Sequence, residues 1–166
     1  MSISSKTKGK RIFDLYDKYP IKGHLVIELF DPEGKLKDRR EMKNTITALH
    51  DVTVADRLAG GTDDLIDNTG IGTTSGGKST ASTALEAEVA RVVDDSDTQG
   101  AGAADNDVVH IATFGAGVGT GALLEAGLFT DVNPGATLQA YKEFAAVNKA
   151  AGDSLVTTWT ITYGAS

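Results

Sequence analysis

The chain has 166 residues, no cysteine and a formal net charge of −7. That length suits one domain with a small extension. The lack of cysteine excludes a disulfide framework and thiolate chemistry, and it fits intracellular synthesis. No apolar run approaches a membrane span, and the basic start is not followed by the apolar segment of a secretory signal.

Residues 1–22 read as a basic N-terminal arm. Residues 1–43 hold 11 of the 16 Lys and Arg and carry a net +4, whereas the remainder carries −11. A basic front on an acidic body reads as an electrostatic docking element. Its cations are Lys6, Lys8, Lys10 and Arg11, in a stretch without hydrophobic period. Phe13, Tyr16 and Tyr19 add apolar anchors, and Pro20 breaks any clean strand. Residues 23–166 then read as a single domain. His24 to Phe30 is a strand, Asp31-Pro-Glu-Gly34 a turn, and Lys35 to Thr45 a charged return strand. Lys35, Lys37, Arg39, Arg40 and Lys43 form the densest basic patch of that hairpin, and the first four join the arm as candidate partner contacts. Asp38 and Glu41 interrupt the patch and no aromatics interleave it, which argues against nucleic acid.

The period then changes. Ala48, Val52, Ala55 and Ala59 fall at helical spacing, which predicts a helix near 46–59 capped by Asn44 or Thr45 and stopped by Gly60-Gly61. Leu65-Ile66 leads into Asn68 to Gly72. Ser79 to Val93 fits either a short helix or an extended wrap. Asp94 to Asp107 reads as an acidic surface loop. Val108 to Phe114 is a strand, and Gly115 to Gly121 a glycine turn. Gly121 to Phe129, Thr137 to Lys149 and Leu155 to Tyr163 close the chain as strands, the last two as a hairpin across Ala150 to Asp153. Leu155, Thr157, Trp159, Ile161 and Tyr163 share one face, with the only tryptophan where the core should be densest. The fold class is mainly β: an antiparallel β-sandwich, jelly-roll-like, with one or two short covering helices.

Gly72-Thr-Thr-Ser-Gly-Gly-Lys-Ser79 matches the phosphate-binding loop of P-loop NTPases letter for letter. The rest of the chain argues against it. No later buried strand ends in a metal-binding acid, and antiparallel alternation follows where strand and helix should alternate. His24, His50 and His110 lie far apart without metal-ligand spacing. His24 and His110 read as hydrogen-bonded structural histidines in strands, and His50-Asp51 as a solvated helix surface. Glu125 reads as a half-buried carboxylate paired with a backbone amide or an arginine such as Arg91. No catalytic set, cofactor site or metal site emerges. A sugar-binding reading needs exposed aromatics, and Tyr141, Trp159 and Tyr163 all fall on strands where core is the default.

Several segments together resemble a known group. Asn44-Thr-Ile-Thr47 precedes a helix, and Gly70-Ile-Gly72 leads into a Thr- and Ser-rich loop. Leu85-Glu-Ala-Glu88 and Arg91 follow, then a strand ending Ala112-Thr-Phe114. Glu125-Ala-Gly-Leu-Phe129 and Leu155-Val-Thr-Thr-Trp-Thr-Ile-Thr-Tyr163 come last. Residues 40–163 thereby resemble small structural proteins of tailed-bacteriophage virions, variously capsid decoration, head-fibre, neck or tail-fibre-like. The resemblance implies a non-enzymatic virion component, assembled in the host cytoplasm. It would bind a major capsid protein or neck and tail proteins and self-associate, often as a trimer.

Overall fold

A computed structural model describes residues 20–62, 65–131 and 136–164. The arm residues Lys6, Lys8, Lys10, Arg11, Phe13, Tyr16 and Tyr19 lie outside the described residues. Among the described residues nine strands form one antiparallel sheet: β1 (Ile21–Phe30), β2 (Leu36–Ile46), β3 (Asn68–Gly72), β4 (Glu88–Val93), β5 (Ser96–Gln99), β6 (Asp107–Phe114), β7 (Gly121–Phe129), β8 (Leu138–Lys149) and β9 (Ser154–Tyr163). An α-helix, α1 (Ala48–Leu58), follows β2. The mainly-β antiparallel fold expected from the alternation is the observed one. Its facing layers are the two halves of a single sheet curled into a half-barrel. The hairpin expected across Ala150 to Asp153 does not form: β8 pairs with β7 and β2, β9 pairs with β1 and β6, and the short turn carries the chain between the two halves.

The strand order is β4-β3-β7-β8-β2-β1-β9-β6-β5. The halves join through only two residue pairs, Thr45–Tyr141 and Ile46–Ala140, between β2 and β8. The two edge strands, β4 and β5, are consecutive in sequence. Asp94 and Asp95 alone carry the chain from one sheet edge to the other, across the seam of the half-barrel. Asp94 N donates to the Asp67 carbonyl at 2.7 Å and Asp95 N to the Ile111 carbonyl at 2.6 Å, so backbone bonds fix both ends of this crossing.

The main core fills the curl. Leu25, Ile27 and Leu29 of β1, Phe114 of β6, Leu123 and Leu128 of β7, and Leu155, Trp159 and Ile161 of β9 are all buried. The two-residue period of β9 delivers these residues as its alternation promised. A smaller core lies elsewhere, built from Leu85, Phe129, Leu138 and Tyr141. Residues 79–87 form no helix. They run as an extended wrap that seats Leu85 there.

The helix forms where its spacing predicted, but it is rotated. His50 and Thr53 are its buried residues, while Val52 is 61% and Leu58 84% exposed. Polar pairing explains the rotation. Gln139 Nε2 donates to Thr53 Oγ1, and Thr47 Oγ1 donates to the Leu138 carbonyl. Both bonds tie α1 to the start of β8, and its small apolar face of alanines offers too little area to compete. The cap residue is Thr47, not Asn44 or Thr45, because the bridge to β8 extends β2 through Ile46. Part of the expected 94–107 loop is also ordered. Ser96–Gln99 pairs with β6, and a 3₁₀ turn occupies Gly102–Ala104.

Candidate functional site

Sheet register builds a site at the seam. Asp97 of β5 lies opposite His110 of β6, His110 opposite Trp159 of β9, and Trp159 opposite Leu25 of β1. Directly paired residues project to the same face. The row that begins in the core with Leu25 and Trp159 therefore ends at the seam in a buried histidine and an acid. His110 Nδ1 and Asp97 Oδ1 are 2.5 Å apart. Asp94, from the crossing, adds a second carboxylate. Its Oδ1 accepts from Thr69 Oγ1 at 2.7 Å, and its Oδ2 lies 3.7 Å from His110 Nδ1. Ligand-capable atoms of Asp94, Asp97 and His110 all fall within 4.8 Å of one another. The Asp94 side chain has no solvent exposure, and its Oδ2 has no hydrogen-bond partner.

Burial sets the electrostatics. It pushes the Asp94 carboxyl well above the usual carboxylate range, and the neighbouring Asp97 carboxylate pushes in the same direction. His110 is held below its ordinary value by burial, which outweighs the Asp97 carboxylate beside it. An uncharged imidazole is the form that offers a lone pair to a cation.

A cleft of about 430 Å³ opens beside this trio, between α1 and the β5–β6 edge. Thr53, Val54 and Leu58 of α1 line one side, Leu65 and Tyr163 line others, and Asp97 and His110 form part of the wall. His50, read from sequence as solvated, is instead fully buried there, with Nε2 2.9 Å from the Tyr163 hydroxyl and the two rings stacked. Burial lowers its pKa to about 4 and raises that of Tyr163.

The basic hairpin stands apart from this site. Lys37 pairs with Asp153 at 2.6 Å, Arg39 with Glu28 and Glu41, and Arg40 with Asp38 and the Ala146 carbonyl. Lys35 is exposed and makes no ion pair among the described residues. Three of the four candidate contact cations of the hairpin are thus paired within the fold.

The phosphate-loop lookalike holds a carboxylate of its own chain. Gly76 N and Gly77 N donate to Glu143 Oε1 at 2.7 and 3.0 Å. Lys78 Nζ pairs with Glu86, and no helix follows Ser79. Glu125 is fully buried and accepts from Glu86 N and Ala87 N, the backbone-amide alternative read from sequence. Arg91 instead chelates Glu88 and lies 3.6 Å over the Phe129 ring. Trp159 is fully enclosed and Tyr141 nearly so, which removes two of the three candidate sugar-stacking rings.

The seam trio was missed in the sequence because β5 is short, polar and framed by acids, so it read as loop. The usable signal was Asp97 and His110 facing each other across a Gly- and Asn-containing turn. No family model matches the chain, and no curated protein or solved structure matches it. The resemblance to virion proteins therefore rests on the sequence segments themselves.

Proposed function

We propose that the chain is a non-enzymatic structural subunit of a tailed-phage virion that decorates or cements the capsid through its arm and through contacts between copies. The observation that carries this reading is the open sheet. β4 and β5 are its two edges, and β4 presents Val89 and Val93 at 45% and 59% exposure. An exposed edge strand with apolar side chains is a template for strand addition by another chain. The resemblance segments support the reading in a second way. Glu125 to Phe129 are all fully buried, and Trp159 anchors the main core, so the shared residues are those that build the scaffold. With Lys37, Arg39 and Arg40 paired internally, the docking role falls chiefly to Lys6, Lys8, Lys10, Arg11 and the aromatic anchors Phe13, Tyr16 and Tyr19. Binding only the assembled shell would stabilise that shell by mass action.

Immunogold electron microscopy of virions tests this directly. Label over the whole head is expected. Label confined to one vertex or to the tail would move the same scaffold to the neck or tail. Absence of label from every particle would overturn the reading. In solution, Val89→Lys combined with Val93→Lys is expected to reduce self-association in sedimentation, and deletion of residues 1–19 to abolish shell binding by a still-folded body.

A further inference from the structure

We propose that Asp94, Asp97 and His110 form a binding site for a divalent first-row transition cation, zinc or manganese in class, that clasps the seam of the half-barrel. Three independent elements converge on it: the two-residue crossing supplies Asp94, edge strand β5 supplies Asp97, and β6 supplies His110. The donor set is one imidazole nitrogen and two carboxylate oxygens within 4.8 Å of one another. One nitrogen with two hard oxygens suits a borderline cation better than calcium, which prefers six to eight oxygens.

The second observation is the orphaned oxygen. Asp94 Oδ2 is buried, has no hydrogen-bond partner, and faces His110 Nδ1 at 3.7 Å. Buried acceptors are almost always satisfied, so a carboxylate oxygen without a partner beside a histidine calls for a cation or for a proton shared with Asp97, and variants of the two acids separate these. The other oxygen is already oriented by Thr69 at 2.7 Å, as outer-shell donors orient ligating carboxylates. The His110 Nδ1–Asp97 Oδ1 hydrogen bond occupies the place a cation would take, and cation binding would displace its proton to solvent. Asp97 and His110 also line the cleft, so a cation held here has a coordination position open to water.

The consequence is structural. A cation would bond the crossing between the edges to both β5 and β6, and so lock the seam.

The test uses the full chain, dialysed against chelator, with zinc chloride as probe. Calorimetric titration is expected to show one site. At free zinc about a hundredfold above the measured dissociation constant, Tm should rise by about 5–10 °C. Asp97→Asn keeps an oxygen that can accept from His110 Nδ1, and Asp94→Asn keeps the oxygen that faces Thr69. Each variant's own metal-free Tm is its baseline, and both are expected to lose the zinc-dependent rise above it. Cobalt(II) should give a visible ligand-field spectrum in wild type that Asp97→Asn weakens. An equal zinc response in both variants would place binding elsewhere and overturn the proposal. So would a wild type indifferent to zinc; an Asp94→Asn variant more stable than that wild type would then identify Asp94 and Asp97 as a carboxyl pair sharing a proton.

Discussion

Glu125 and Glu143 lie directly opposite each other on β7 and β8, and each carboxylate accepts two backbone amides of the same wrap. Glu125 takes Glu86 N and Ala87 N at 3.0 and 2.8 Å, and Glu143 takes Gly76 N and Gly77 N. One pair of facing acids thus pins residues 76–87 to the sheet. A glutamine at position 125 would set an NH₂ group against one of those amides. Glu125→Gln should therefore cost about 2 kcal/mol, as expected for leaving a buried donor unsatisfied. Glu143 is only partly buried, and Glu143→Gln should cost less than about 1 kcal/mol. Urea denaturation measures both. Amide exchange at Glu86 and Ala87 should accelerate in the first variant alone.

Gly72 is required by that carboxylate rather than by a phosphate. A Cβ built on Gly72 would stand 2.4 Å from Glu125 Oε1 and 2.7 Å from the Ala87 carbonyl oxygen. Gly72→Ala should cost about 2–3 kcal/mol through overpacking. A Cβ at Gly77 meets nothing within 4 Å, but its φ is +71°. Gly77→Ala should cost only about 1 kcal/mol of backbone strain. Equal losses in thermal denaturation would refute this account.

Lys78 contributes an ion pair with Glu86 at 3.1 Å and the packing of a side chain that is only 9% exposed. Lys78→Ala should cost about 1–2 kcal/mol, mostly through that lost packing. ATP with magnesium should leave the Tm of both wild type and variant unmoved. A Lys78-dependent shift would restore the nucleotide-binding reading.

His50 gives the fold a pH dependence of known sign. Its folded-state pKa is about 4, lowered by burial from 6.5. The unfolded chain therefore binds a proton that the folded chain resists. The contribution is fully present above pH 6.5, falls as pH drops toward 4, and levels off below that. The total loss is about 3 kcal/mol. His50→Gln keeps a hydrogen-bonding partner for Tyr163 and removes the titration. Chemical denaturation from pH 7 to 4 should show a shallower decline in the variant, and parallel declines would show that His50 is not the group.

Much of the architecture was legible because it rests on period. The alternation of β9, the hairpin around Asp31 to Gly34 and the apolar run of β7 each carry their own signal. The helix was legible in position but not in orientation. Its buried face is chosen by Thr47, His50 and Thr53 bonding to β8 and Tyr163, and those partners lie more than 80 residues away. The seam site was hidden for a similar reason. Asp97 faces His110 through the local β5–β6 hairpin, but Asp94 is buried beside them by its bonds to Thr69 and the Asp67 carbonyl at the β3–β4 end of the sheet, which no local pattern records. For Glu125 the alternation showed that a carboxylate inside an apolar strand must find donors but left a backbone amide and Arg91 both open, and it expected half burial where the side chain is fully buried.

The two-pair junction between β2 and β8 has a mechanical meaning. The halves of the molecule behave as two boards sharing a narrow spine at Thr45–Ile46, with Asp94-Asp95 as the latch on the opposite side. Force that pries the halves apart concentrates at these places, while the broad pairings of β1 with β9 and β7 with β8 carry little of it. Opposing it is the main core, in which Leu25, Trp159 and Ile161 of one half pack with Ile71, Leu123 and Leu128 of the other, so separating the halves exposes that shared apolar surface before any strand within a half must unpair.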